Sequence, residues 1–187
     1  MVLIFLFFSL AEKTCLWYTR NILLKYTIME KSRKDAISWD ECFMRIANVI
    51  AQRSKDPSTQ SGAAVVDENN IVVGLGYNGF PRGIDNNEFP WDRKGGFLDV
   101  KYTYVCHAEE NSIYNANTST NNCKIFCTLF PCNECTKTII QNGIKEIIYE
   151  SDKYHDTDIC IASRRMLDAA GIKYRQYVSE YNSQALW

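Results

Sequence analysis

The sequence predicts an α/β fold built on a mixed five-stranded sheet, and three observations predict it. One is the periodicity, which runs from an amphipathic helical stretch to two close apolar runs and then alternates helix and strand to the end. Another is the connections: apolar runs joined by a short turn make an antiparallel hairpin, whereas strands joined through helices must lie parallel with right-handed crossovers. The third is size. A chain of 187 residues, 46% hydrophobic with four prolines, suits one compact domain with a sizeable core.

The elements follow in order. Trp39, Phe43, Ile46, Ala47 and Ile50 recur at three- and four-residue spacing, so a helix runs from Ser38 to about Arg53. Ser38-Trp39-Asp40-Glu41 reads as its capping box, and Arg53-Ser54-Lys55-Asp56-Pro57 ends it. Gly62 to Val66 and Ile71 to Leu75 read as a hairpin turning at Asp67-Glu68-Asn69-Asn70. A glycine-rich stretch, residues 74–83, reads as a tight loop, or as backbone that approaches a ligand closely with Asn78 as a two-way hydrogen-bonding group. Residues 84–105 form a long connection expected to lie over the site.

His107 to about Asn115 then reads as a helix and Lys124 to Leu129 as a buried strand. Pro131 opens the next helix, because a first helical turn needs no amide hydrogen there, and Gly143 ends it. Lys145 to Glu150 is a strand, Asp158 to Ala170 a helix stopped by Gly171, and Ile172 to Tyr177 the last strand. The two helices that begin at His107 and Pro131 start at the same end of the sheet, so their N-termini converge.

Residues 1–28 read as an apolar N-terminal extension and residues 29–187 as a single domain. The run Met1 to Leu10 is too short to span a bilayer and has no basic stretch before it, although Ser9-Leu10-Ala11 has the look of a weak cleavage site. Met29-Glu30-Lys31 is the favoured working start, with the first 28 residues as upstream or accessory sequence. With a net charge of −1 and charges of both signs interleaved, no basic stripe argues for gripping nucleic acid, and no segment argues for a membrane. Eight cysteines spread through apolar and chemical contexts read as a reducing, cytoplasmic chain rather than a disulfide framework.

Two short stretches carry the chemistry: Cys106-His107-Ala108-Glu109 and Pro131-Cys132-Asn133-Glu134-Cys135. His107, Cys132 and Cys135 can hold a zinc ion. A catalytic zinc keeps three protein ligands and leaves its fourth position to water, whereas a structural zinc is closed by four. Cysteines three apart share a helical face, and a helix N-terminus lowers thiol pKa, so both can bind as thiolates. Glu109, two residues past His107, can lean over the metal-bound water as a proton shuttle without ligating. A closed site with His155 as fourth ligand is the bland alternative. Cys42, Cys106, Cys123, Cys127 and Cys160 read as core cysteines, and Glu110 and Glu134 as solvated helix-face charges. Arg53 and Lys55 are the available cations near the first turn and are candidate phosphate partners.

The pattern H-x-E followed by P-C-x-x-C is the signature of zinc deaminases. Together with Gln52-Arg53-Ser54-Lys55-Asp56-Pro57, Gly76-Tyr77-Asn78-Gly79 and Ser151-Asp152-Lys153-Tyr154-His155-Asp156, it makes residues 38–175 closely resemble the eukaryotic-type deoxycytidylate (dCMP) deaminase family, of the cytidine-deaminase-like superfamily. The resemblance implies a three-layer α/β/α fold, zinc-dependent hydrolysis of dCMP to dUMP and ammonia for thymidylate synthesis, and a homohexamer. It further implies activation by dCTP with Mg2+ and inhibition by dTTP. By the same likeness His107, Cys132 and Cys135 match the zinc ligands, Glu109 the shuttle, Asn78 the residue holding the sugar hydroxyl, Ala108 a substrate contact, and Tyr154 the place where the 5′-phosphate is met. Asn78, Gly79, Phe80, Arg82 and Gly83 look like part of the effector site. Ser61, Arg82, Glu110 and Ser112 depart from the likeness, and none belongs to the zinc set. The rival functions are a superfamily deaminase acting on cytidine or on bases in nucleic acid, and a non-enzymatic zinc-stabilised nucleotide-binding protein.

Overall fold

The computed structural model describes residues 17–19 and 32–179. The chain divides into two compact units, Met1–Ala36 and Ile37–Trp187. In the first unit residues 17–19 are helical and Arg33 pairs with Asp35 at 3.0 Å. Both Met1 to Leu10 and Met29-Glu30-Lys31 lie outside the described residues. Among those described, no helix is long and apolar enough to cross a membrane.

The second unit opens with helix α1, Trp39–Ala51. Ser38 Oγ accepts from the Glu41 N–H at 3.2 Å, but the expected capping box is only half made. The Glu41 carboxylate turns instead to Arg45 at 2.5 Å, Ser179 at 2.9 Å and the Tyr177 hydroxyl, tying the first helix to the end of the fold. Strands β1 (Gly62–Val66) and β2 (Val72–Tyr77) form the hairpin, with Asn70 in the left-handed region at its turn. The second half of the unit runs α2 (Ala108–Tyr114), β3 (Lys124–Leu129), α3 (Asn133–Gln141), β4 (Glu146–Ser151), α4 (Asp158–Ala170) and β5 (Lys173–Gln176).

The sheet order is β2-β1-β3-β4-β5, with β1 antiparallel to β2 and β3, and β3, β4 and β5 parallel. Alternate residues of its central strands therefore serve two cores. Ala64, Val66, Phe126 and Ile148 pack with Phe43, Met44 and Ala47 of α1. Ala63, Val65, Ile125, Cys127, Ile147 and Tyr149 pack on the opposite side with Ala108, Ile113, Ile139 and Leu167 of α2, α3 and α4. This is the three-layer α/β/α arrangement.

Two boundaries depart from the sequence reading in ways that matter. Strand β2 starts after the exposed Ile71 and runs on through Tyr77, so the first four of the ten residues in the glycine-rich stretch are sheet. A Cβ on Gly74 would meet the Ser112 carbonyl oxygen at 2.1 Å, and one on Gly76 would meet the Ala108 carbonyl oxygen and the Ser112 nitrogen, both at 2.2 Å. These glycines thus admit helix α2 against the strand, not a ligand. Pro131 does not open α3, because Cys132 is the extended N-cap and its Sγ accepts from the Cys135 N–H at 3.5 Å. Gly143 and Gly171 do end their helices with positive φ, 72° and 68°.

Candidate active site and metal centre

His107 caps α2 and Cys132 caps α3, so each is held at the last extended residue before its helix, with Cys135 one turn further on. The His107 Nδ1 atom lies 3.3 Å from Cys132 Sγ and 3.3 Å from Cys135 Sγ. All three ligand atoms fall within 4.8 Å of one another. Glu109 is buried beside them, its Oε2 at 3.6 Å from Cys135 Sγ. Glu110, expected to be solvated, instead accepts from the His107 N–H at 3.4 Å and steadies the cap.

Their protonation reflects this crowding. The hydrogen bond with Cys135 is the main pull on the Cys132 thiol, taking it down to about 4 against the opposing effect of burial. The Cys132 partnership pushes His107 up to about 9, while Cys135 rises well above the usual thiol value because Cys132 holds its proton and burial adds to the effect. Burial likewise raises Glu109. Two sulfur donors and one imidazole converging on one point suit zinc. Among the described residues no fourth ligand joins them: His155 is exposed, with its Nδ1 3.3 Å from the Asp152 carbonyl oxygen.

The donor set lies on the wall of a cavity of about 350 Å³. His107, Ala108, Glu109 and Cys132 line it on one side, and Asp56, Thr59, Ser61 and Asn78 on another. Val105, Leu129, Phe130 and Ile159 supply apolar surface, and Arg93, Lys101, Tyr102 and Tyr154 supply charge and hydroxyls. Asn78, Ala108 and Tyr154, the expected substrate contacts, all line this cavity. Arg53 and Lys55 are exposed and stand off the cavity wall. Of the five candidate effector residues only Asn78 lines the cavity. Gly79 pairs its backbone with Cys106 in both directions, at 3.1 and 2.9 Å, Phe80 packs on Trp91 with ring centroids 4.3 Å apart, and the Arg82 guanidinium donates to the Asn115 side chain. Gly83 follows in the left-handed region, with φ 90°.

The sequence reading missed several lining groups. The connection of residues 84–105 holds two 3₁₀ turns, Phe97–Asp99 and Lys101–Thr103, and delivers Arg93, Lys101, Tyr102 and Val105 to the cavity. Lys101 is buried and forms an ion pair with the equally buried Asp56. Asp56 had only the look of a helix end, and nothing periodic marks Lys101. Cys42 and Cys106 are half-buried rather than core residues, whereas Cys123, Cys127 and Cys160 are buried as expected; the cysteines described are free thiols.

A family model described as the cytidine and deoxycytidylate deaminase zinc-binding region matches residues 37–151, more than half of the chain. The chain belongs to this deaminase family. Its matched region contains Asn78, His107, Glu109, Cys132 and Cys135, and ends just before Tyr154. The family members it resembles include a deoxycytidylate deaminase of Pongo abelii, 51% identical over 150 residues (79% of this chain, 84% of that one). The corresponding Homo sapiens protein is 50% identical with the same coverage. Among solved structures, the dCMP deaminase of cyanophage S-TIM5 in complex with dCMP and dUMP aligns with a TM-score of 0.60 and 28% identity, covering 73% of this chain and 95% of that one.

Proposed function

We propose that this deaminase family member hydrolyses dCMP to dUMP and ammonia with zinc as its cofactor, supplying dUMP for thymidylate synthesis in the cytoplasm. The observation that carries the proposal is the buried Glu109 carboxylate against a three-ligand donor set on the wall of a nucleotide-sized cavity. Family membership and the deoxycytidylate deaminases named above support the substrate.

His107, Cys132 and Cys135 would hold the ion. Zinc, when bound, supplies Lewis acidity that brings the pKa of a water toward neutrality. Glu109 takes a proton from the attacking water and delivers it to ring N3, which makes C4 electrophilic. As the C4–N4 bond breaks, Glu109 takes the proton of the new C4 hydroxyl, which becomes the carbonyl, and passes it to the amino group leaving as ammonia, so one carboxylate is base and then acid. Its burial, which raises its pKa, suits a group that must hold a proton between those steps. Asn78 meets the sugar hydroxyl, and Tyr154 and Arg93, both on the cavity wall, meet the 5′-phosphate.

Regulation by dCTP with Mg2+ and by dTTP in a homohexamer belongs to the same proposal. The two-way backbone pairing of Gly79 with Cys106 supplies the link such regulation needs, because it joins the glycine loop directly to the residue before His107. An effector seated against Gly79, Phe80, Arg82 and Gly83 would therefore bear on the zinc ligand.

Parallel assays of ammonia release from dCMP, deoxycytidine and a cytosine-bearing oligonucleotide test the reading. Turnover of dCMP far above the other two is expected. Preference for the nucleoside or the oligonucleotide would contradict it, and no release from any would favour a binding protein.

A further inference from the structure

We infer that the buried Asp56–Lys101 ion pair is a positioning device that fixes the polarity of Asn78, so that the cavity accepts a hydrogen-bond donor at the sugar and rejects an acceptor. The inference rests on the proposed dCMP reaction and deepens it.

Asn78 is almost fully buried, and each of its amide partners has a fixed sense. The Ser61 N–H donates to Asn78 Oδ1 at 2.8 Å. The Asn78 Nδ2 group donates to the Thr59 carbonyl oxygen at 2.9 Å and to Asp56 Oδ2 at 3.2 Å. An amide has two N–H donors and two oxygen lone pairs. Both donors are thus consumed, and a single lone pair on Oδ1 is left for a ligand. Turning the amide over would set its N–H group against the Ser61 N–H and its oxygen against two acceptors.

Asp56 makes that orientation binding. Its Oδ1 accepts from the Ser58 and Thr59 N–H groups at 2.8 and 3.2 Å, and its Oδ2 accepts from Lys101 as well as from Asn78. Lys101 arrives from the long 84–105 connection and supplies the positive charge that a buried carboxylate needs. A group with its acceptor sites so filled cannot offer Asn78 a donor. Asp56 and Lys101 thereby act through Asn78, and the connection contributes to specificity as well as covering the site.

Substrate analogues test this without altering the protein. The 3′-fluoro analogue of dCMP keeps the size of the hydroxyl but can only accept, whereas the 3′-amino analogue still donates. Wild-type kcat/KM is expected to fall at least ~100-fold with 3′-fluoro and to stay within about tenfold with 3′-amino, because a buried site built for a hydroxyl leaves its own group unpaired when the donor is lost. Asp56→Asn combined with Lys101→Met removes both charges together, and an Asn at position 56 whose Oδ1 stays on the Ser58 and Thr59 N–H groups turns a donor, in place of an acceptor, toward Asn78. In that variant the dCMP to 3′-fluoro ratio should shrink at least ~10-fold while bound zinc per chain is unchanged. A wild-type enzyme that handles dCMP and its 3′-fluoro analogue equally overturns the inference alone, as does a zinc-loaded double variant with the wild-type ratio. If the double variant does not fold, Asp56→Asn alone is measured in the same way, and a wild-type dCMP to 3′-fluoro ratio in it overturns the inference. Failure to turn over dCMP at all overturns the functional reading and this inference with it.

Discussion

Cys135 Sγ lies 3.6 Å from Glu109 Oε2, although one residue sits on α3 and the other on α2. The carboxylate thus touches the donor set from the side, inside the protein, where its proton state matters to whatever occupies the cavity. Replacing Glu109 by Gln keeps the shape and removes the proton acceptor. We expect Glu109→Gln to retain zinc and to lower kcat by about 10²–10⁴-fold, the usual worth of positioned acid–base catalysis. Metal analysis beside steady-state dCMP turnover checks this; loss of zinc along with activity would make Glu109 part of the metal set instead.

The donor atoms of His107, Cys132 and Cys135 converge only because α2 and α3 are docked side by side, so zinc should stabilise that docking. Zinc at a hundredfold excess over its Kd adds about 2.7 kcal/mol to a fold that binds it only when native. Thermal melts with added zinc and with a chelator should differ for the wild type. His107→Ala should melt at one temperature in both.

Gly76 faces the first turn of α2 at a distance no side chain tolerates, since a methyl group there would sit 2.2 Å from the Ala108 carbonyl oxygen. Gly76→Ala is expected to cost about 1–3 kcal/mol by overpacking, and to lower activity because the displaced turn carries His107 and Glu109. Gly79→Ala meets only the Tyr77 ring, at 3.7 Å and beyond, and should change stability by no more than about 0.5 kcal/mol. Urea denaturation of the two variants compares them directly.

Arg164 holds the turn before α4 together. It donates to both Asp152 carboxylate oxygens at 2.7 and 2.6 Å and to the His155 carbonyl oxygen at 3.3 Å, and its guanidinium lies 4.2 Å from the centre of the Phe130 ring on the cavity wall. Arg164→Ala should raise KM for dCMP more than it lowers kcat, since the turn it anchors carries Tyr154. Arg164→Lys should not restore KM, because an ammonium cannot make the paired carboxylate contact and the stacking at once.

At the far side of the sheet, Tyr177 and Glu41 predict a response to pH. Burial, and after it the hydrogen bond to Glu41, pushes the Tyr177 phenol up to about 12. Burial alone would raise Glu41, but hydrogen bonds from Tyr177, Arg45 and Ser179 outweigh it and lower the carboxyl. A phenol whose pKa is higher in the folded state stabilises fully below the ordinary value of 10, and that contribution disappears as pH rises through about 12. The Glu41 contribution is present at neutral pH and lost as pH falls through its lowered value. Melting temperature should therefore fall between pH 10 and 12 in the wild type, and less steeply in Tyr177→Phe.

Much of this was legible in the residues because local rules and tertiary packing agree. β1, β3 and α4 appear with the bounds their apolar patterns and end signals gave, and the His107, Cys132 and Cys135 spacing was enough to bring the ligands together. Where tertiary contacts decide, the residues were silent. Gly74 and Gly76 looked like loop because a close helix approach leaves no trace in the strand's own sequence. Lys101 had no periodicity to mark it, and its burial follows from a partner 45 residues away. Arg53 and Lys55 are the cations nearest the first turn along the chain, yet the cavity draws its cations from Arg93 and Lys101 on the long connection.

Central to all of this is the proposal that His107, Cys132 and Cys135 hold a zinc ion and leave its remaining place to water. X-ray absorption spectroscopy of the zinc-loaded protein measures that directly. Two sulfur donors, one nitrogen and one further light oxygen donor that changes when a substrate analogue is added are the predicted result. A shell of four protein donors, unchanged by the analogue, would contradict it.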